Sequence, residues 1–127
     1  MATYSISEAA AFFDLPESTL RYYDKRGLLT FLERDDFGNR VFTETQMALL
    51  ATITHLKNSD MSIQQIKQYV DWIMEGDVTI PKRLEMMKAH RKAIEQQIAA
   101  REASLDQVDY KIARYQKYVD EQEQVKS

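Results

Sequence analysis

The sequence predicts a mainly α-helical protein in two parts: a winged helix-turn-helix domain, followed by one long C-terminal helix that forms an antiparallel coiled-coil dimer. Three observations predict it. Residues 16–42, PESTLRYYDKRGLLTFLERDDFGNRVF, read as a short helix ending at Gly27 and then two extended pieces around a turn at Asp36, Phe37, Gly38 and Asn39. The pattern Ser/Thr-x-x-Glu/Gln recurs at Ser5, Thr43 and Ser62, each time ahead of an apolar run, and marks three further helix starts. From Leu84 onward, apolar residues return at alternating spacings of three and four.

The first helix opens with the box Ser5-x-x-Glu8 and sets Ile6, Ala9, Ala10 and Phe13 on one face. Asp14-Leu15-Pro16 breaks it, because the residue before proline is pushed out of the helical region and Pro16 is preorganised for the first turn of the next helix. In that second helix Leu20 and Tyr23 face the core, leaving Ser18, Thr19, Arg21, Tyr22 and Lys25 outward. Gly27 supplies the left-handed residue that ends it. Two short helices with a tight turn make a helix-turn-helix candidate. Leu28 to Phe42 then reads as two short strands of a wing, with Leu29, Phe31, Val41 and Phe42 as the strand-forming positions. A third helix starts at Thr43-x-x-Gln46, carries Met47, Leu50, Ile53 and Leu56 inward, and stops near Asn58. The fourth starts at Ser62-x-x-Gln65, carries Ile63, Ile66, Tyr69, Val70 and Ile73, and stops at Gly76.

A different pattern begins after Pro81. A heptad written from Leu84 places Leu84, Met87, Arg91, Ile94, Ile98, Arg101, Leu105, Val108, Ile112, Tyr115, Val119 and Gln122 on one seam, and 9 of these 12 are apolar. Residues 84–122 would extend ~58 Å at the usual helical rise, more than a compact domain needs for its own core. So narrow an apolar seam needs a partner, and a second copy packed antiparallel about a two-fold axis supplies one, with Ile94, Ile98, Leu105, Val108, Ile112 and Tyr115 as its contacts. The alternative is an arm folded back on its own domain. Arg91 and Arg101 in the seam would set register through carboxylates on the partner. The expected divisions are a winged domain with connecting helices over 1–78, a dimerisation helix over 79–122 and a polar tail over 123–127.

Composition narrows the function classes. An apolar content of 44% with 29% charged residues belongs to a globular chain rather than a disordered one. The apolar runs are too short to span a membrane, and no basic region leads into a signal-peptide core, which predicts a cytoplasmic protein. With no cysteine there are no disulfides, thiolate metal sites or thiol redox sensing. His55 and His90 have no ligand-spaced companions, so neither a metal nor any other cofactor is expected. No nucleophile-base pair, glycine-rich phosphate loop or paired-carboxylate motif indicates an enzyme.

The net charge of −3 argues against indiscriminate polyanion binding. Residues 1–80 hold 7 lysines and arginines against 12 aspartates and glutamates, so any nucleic-acid contact must be local. Such a local stripe exists: Arg21, Lys25, Arg26, Arg34 and Arg40 cluster with Tyr22 and Tyr23 in the second helix and wing. Cationic donors interleaved with aromatic hydroxyls suit a helix and wing laid on DNA, and equally a polar surface that meets another protein.

These residues resemble the MerR family of transcription regulators along nearly the whole chain. Ile6-Ser7-Glu8-Ala9-Ala10 resembles the family's first helix, and Thr19-Leu20-Arg21-Tyr22-Tyr23-Asp24 followed by Gly27-Leu28-Leu29 its hallmark. Arg34 with Gly38-Asn39-Arg40 resembles the first wing, and Met61-Ser62-Ile63-Gln64-Gln65-Ile66-Lys67 the opening of the fourth helix. Leu105-Asp106-x-x-Asp109-x-Lys111-Ile112-x-x-Tyr115 is similar to the small aldehyde and nitrosative-stress branch, which has no separate effector domain. The resemblance implies a homodimer that binds a pseudo-palindromic operator in double-stranded promoter DNA and switches transcription by RNA polymerase through bending and untwisting an overlong spacer. By motif position, Arg21, Tyr22 and Tyr23 would address the backbone and major groove, Arg34 and Arg40 the wing contacts, and Ser62 and Ile63 a phosphate at the fourth helix start. Ser18 and Thr19 are candidates for base edges, or for simple capping, and Lys25 adds a phosphate donor. Tyr69, Trp72, Met74 and Met87 would line an effector pocket, the alternative being hinge packing. Asn39, Phe31 and Phe42 depart from the aromatic, proline and tyrosine usual at those positions, and the absence of cysteine rules out thiolate metal or carbonyl sensing.

Overall fold

A computed structural model describes residues 2–126. The described chain runs β1 (Tyr4–Ser5), α1 (Ile6–Phe12), α2 (Glu17–Lys25), β2 (Glu33–Arg34), β3 (Arg40–Phe42), α3 (Glu44–Asn58), α4 (Ile63–Glu75), a single 3-10 turn (Asp77–Thr79) and α5 (Ile80–Lys126). It divides into two compact units between Met86 and Met87.

All three capping boxes form. At Ser5, Thr43 and Ser62 the side chain accepts the backbone N–H three residues on, and the side chain of Glu8, Gln46 or Gln65 returns to the cap's own amide. Each box satisfies two donors that the first turn leaves open. Ile6, Ala9 and Ala10 of α1, Leu20 and Tyr23 of α2, Met47, Leu50, Ile53 and Leu56 of α3, and Ile66 and Val70 of α4 are buried at helical spacing. Together with Leu28, Leu29, Phe42 and Met61 they make the core of the first unit. Pro16 sits one residue earlier than expected, as the extended cap of α2 (φ −60, ψ 140), with Glu17 as the first helical residue.

The wing differs from its expected form in two ways. Residues 27–31 turn rather than extend, so the first wing strand is only Glu33–Arg34. Leu28, Leu29, Phe31 and Leu32 are all buried, a run without the alternation a half-exposed strand requires. The turn is held by Gly27 N–H to the Asp24 carbonyl at 3.1 Å and Leu28 N–H to the Tyr23 carbonyl at 3.0 Å, with Gly27 at φ 82. The second difference is an added strand. The sheet has order β1-β3-β2, both pairs antiparallel, with Tyr4 opposite Phe42 and Ser5 opposite Val41. A two-residue strand is too short to show periodicity, and its partner lies more than thirty residues away along the chain. Phe42 on the central strand is fully buried and packs edge-to-face on Phe31, ring centroids 6.5 Å apart.

At the end of α4, the buried Thr79 hydroxyl donates to the Trp72 carbonyl at 2.6 Å and accepts from Arg83 Nε at 3.0 Å. Arg83 also donates to the Gly76 carbonyl at 2.9 Å, so the first turns of α5 are fastened within the first unit. α5 itself is 47 residues long and holds no buried residue. Residues 123–126, expected as a polar tail, continue the helix, since neither proline nor glycine interrupts them.

Candidate nucleic-acid interface

The site is built on α2 because burial of Leu20 and Tyr23 fixes the helix's rotation and turns the opposite face to solvent. On that face Ser18, Arg21, Tyr22, Lys25 and Arg26 are exposed and Thr19 is half-buried. Arg21 pairs with Glu17 one turn earlier, and the Ser7 hydroxyl of α1 donates to the other Glu17 oxygen at 3.1 Å. The Arg21 hydrogen bond, then that from Ser7, holds the Glu17 carboxyl below its ordinary value. Arg26 donates to the Tyr22 hydroxyl at 3.0 Å and lies 5.8 Å from its ring centroid, bracing the ring on the surface.

Tyr23 is a correction to the expected contact set. It is only 6% exposed, and burial, with Tyr22 alongside, pushes its phenol above the ordinary value. The helical period that places Leu20 in the core places Tyr23 there as well. Of the adjacent pair Tyr22-Tyr23, only Tyr22 stands on the outer face.

The wing brings up Arg34 and Arg40 differently. Arg34 is exposed and donates to the Gly38 carbonyl at 2.6 Å, across the turn. The turn is shaped by Asp35, whose carboxylate accepts from the amides of Phe37 and Asn39, each at 2.9 Å. Arg40, expected on phosphates, is instead drawn inward. It donates to the Leu32 carbonyl at 3.0 Å and faces Asp24 of α2 at 3.6 Å. Ser7, Glu17, Arg21, Asp24, Arg34 and Arg40 line one open cleft of about 310 Å³ between α2 and the wing.

Ser62 is exposed and Ile63 half-buried at the start of α4. The Gln65 backbone amide is taken by the Ser62 hydroxyl and the Ser62 amide by the Gln65 side-chain oxygen Oε1, which leaves the amides of Ile63 and Gln64 without intrahelical acceptors. Tyr69 and Trp72 are half-buried and Met74 is exposed on α4, while Met87 belongs to the second unit. In that unit Ile98, Leu105, Val108, Ile112 and Tyr115 are each more than half exposed and Ile94 is half-buried, one apolar line along α5. Among the described residues no cluster of His, Asp and Glu could hold a metal ion, and no helix is long and apolar enough to cross a membrane.

Sequence reasoning missed Ser7, Glu17, Asp24 and Asp35 as parts of this surface. Asp35 carried a readable signal, an aspartate opening a glycine-containing turn, and Glu17 lies one helical turn before Arg21. The Ser7 and Asp24 contacts join separate elements and had no local signal.

Two family models match the chain: MerR HTH family regulatory protein over residues 4–72, and MerR, DNA binding, over residues 47–111. The chain belongs to the MerR family. It is thus a DNA-binding transcription regulator of the MerR type. A Haemophilus influenzae protein, named as an uncharacterized HTH-type transcriptional regulator, is 40% identical over 91% of this chain and 85% of its own length. Among solved structures, HiNmlR, described as a MerR family regulator lacking the sensor domain and bound to promoter DNA, is 40% identical. It superposes with a TM-score of 0.84 over 91% of this chain and 92% of its own. A MerR regulator from Bacillus thuringiensis is 43% identical with a TM-score of 0.85, over 89% and 99%. The MerR hallmark Arg21-Tyr22-Tyr23-Asp24 is therefore divided by the fold: Arg21 and Tyr22 face out, Tyr23 faces in, and Asp24 faces the wing.

Proposed function

We propose that this MerR regulator acts as a homodimer on a pseudo-palindromic operator in promoter DNA and controls transcription by RNA polymerase through distortion of the spacer between promoter elements. The observation that carries the reading is the outer face of α2, where Arg21, Tyr22, Lys25 and Arg26 stand exposed beside a wing whose turn is held by Asp35. Family membership and the DNA-bound state of HiNmlR support it. In this reading Arg21, Tyr22, Lys25 and Arg34 meet the backbone, Ser18 and Thr19 reach base edges, and the α4 amides near Ser62 and Ile63 hold a phosphate. The exposed line Ile94, Ile98, Leu105, Val108, Ile112 and Tyr115 of α5 pairs with a second copy, which supplies the second half-site. We further propose that residues 1–78 act as the DNA-binding part and 79–122 as the dimerisation part.

Anisotropy titration of an operator-length duplex, selected from a random library, tests the reading together with the protein's mass in solution. Salt-dependent binding by a dimer is expected. A dimer that leaves every duplex unbound at low salt would instead favour the second reading, a coiled-coil interaction protein whose winged domain binds another protein. That reading draws on the acidic balance of residues 1–80. For Tyr69, Trp72, Met74 and Met87 we expect packing rather than an effector pocket. Titration calorimetry with large apolar ligands should show no tight binding, and a tight complex would overturn that assignment.

A further inference from the structure

We infer that Asp24 and Arg40 form a latch that sets the wing against α2, so that Asp24, a negative charge on a DNA-facing cleft, strengthens binding to the cognate site. The inference rests on the DNA-binding reading above. Arg40 opens β3, the central strand, which pairs with both β1 and β2, so its anchor locates the whole wing. One guanidinium joins three segments: it belongs to β3, donates to the Leu32 carbonyl just before β2 at 3.0 Å, and faces the Asp24 carboxylate in the last turn of α2 at 3.6 Å.

The surroundings separate this pair from its neighbours. The ion pairs Arg21–Glu17 and Lys67–Asp71 each lie within one helix, with side chains 41–65% exposed. Arg40 and Asp24 belong to different elements and are 26% and 27% exposed. Arg40 is drawn inward far enough that its Nε is buried with no hydrogen-bond partner. A guanidinium serving chiefly as a phosphate donor gains nothing from that arrangement, since burying an unpaired N–H is unfavourable. A guanidinium serving as a fastener needs its planar fork directed at fixed acceptors, which Leu32 and Asp24 provide. The consequence is geometric. Phosphate contacts set the register of a protein on a duplex, so an α2 face and a wing that are free to shift would fit the cognate site less well.

The sign of one substitution decides the matter. Asp24→Asn removes a negative charge from the cleft, and simple electrostatics would tighten binding to every duplex. The latch requires the opposite. Anisotropy titrations would compare the wild-type protein, D24N, R40K and D24N/R40K on a duplex selected from a random library by the wild-type protein, and on a scrambled duplex of the same composition. D24N is expected to bind the selected duplex about tenfold more weakly and the scrambled duplex within about twofold of wild type. R40K keeps the charge and loses the fork, so it should weaken the selected complex at least fivefold with an unchanged salt slope. The double variant should be no more than about twofold worse than the poorer single variant.

D24N binding the selected duplex as tightly as wild type, or tighter, overturns the latch, as do additive losses in the double variant. If D24N fails to fold by circular dichroism, R40K decides, and wild-type affinity in R40K overturns the latch. Wild-type protein that binds neither duplex overturns the DNA-binding reading itself, an outcome distinct from wild-type binding with an indifferent D24N.

Discussion

Arg21→Ala measures directly whether the outer face of α2 meets phosphate. The guanidinium is 65% exposed and pairs with Glu17 within the same helix, an exposed pair of little worth that a phosphate can displace. Loss of one charge-assisted hydrogen bond to phosphate should weaken operator binding roughly ten- to a hundredfold at low salt. The salt dependence gives the sharper figure. Each phosphate contact contributes about 0.9 to the slope of log K against log salt, so a fourfold rise in salt should shrink the R21A deficit by about 3.5-fold. Glu17→Gln has the opposite sign, because it frees Arg21 and removes a carboxylate from the interface; binding to any duplex should rise a few-fold. The assay is anisotropy titration at four salt concentrations, with thermal melts to show that both variants stay folded. An R21A deficit that is the same at every salt concentration would refute the argument, since a contact that releases no counterion is not a phosphate contact. Arg21 would then act through the helix alone.

Three further predictions follow from other parts of the chain. Ile98→Glu puts a charge on the exposed apolar line of α5, where Ile98 is 53% exposed, and light scattering should report half the wild-type mass; an unchanged mass would exclude this line as the interface. Gly27→Ala forces a side chain into the left-handed region at φ +82 and should cost about 1–2 kcal/mol in urea denaturation at fixed protein concentration. The new Cβ would meet only the flexible end of Lys67 at 3.0 Å, so equal stability would mean that the backbone had moved. Glu8 is held below its ordinary value near 4.5 by the Ser5 backbone amide and then by the Ser5 hydroxyl. A depressed folded-state pKa contributes stability above the unfolded value, lost as pH falls through the folded one. The melting difference between wild type and Glu8→Gln should therefore be constant above pH 5 and vanish in stronger acid, and a difference that grows on acidification would contradict the assignment.

Much of the fold was legible because it is written in short-range patterns. The three boxes at Ser5, Thr43 and Ser62 involve atoms three residues apart, and the burial of Leu20, Met47, Leu50, Ile66 and Val70 follows from a 3.6-residue period. The exposure of Arg21 and Tyr22 follows by subtraction once Leu20 is placed inside. Gly27 marked the end of α2 because its φ of 82 is open to glycine and strained for most other residues. Where an apolar run has no period, residue order does not distinguish a strand from a buried turn. Phe31 is β-prone, Leu28, Leu29 and Leu32 are simply apolar, and all four are buried, yet the chain turns there, since burial on every side removes the alternation that defines a strand.

The helices, their caps and the face of α2 that carries Arg21, Tyr22 and Lys25 are written in the residue order alone. Each depends on residues within one or two turns of each other, where sequence spacing is spatial spacing. The partnerships between elements come from tertiary packing. It paired Tyr4 with Phe42, gave Glu17 its second donor in Ser7, and turned Arg40 from solvent toward Leu32 and Asp24. Those contacts join elements 8 to 38 residues apart, and nothing in the local chemistry of an arginine distinguishes one that will meet phosphate from one that will meet a carbonyl and an aspartate. What separates them is desolvation: a guanidinium carried under the wing by the strand before Phe42 must find acceptors in the protein, and one left on the outer face of α2 need not.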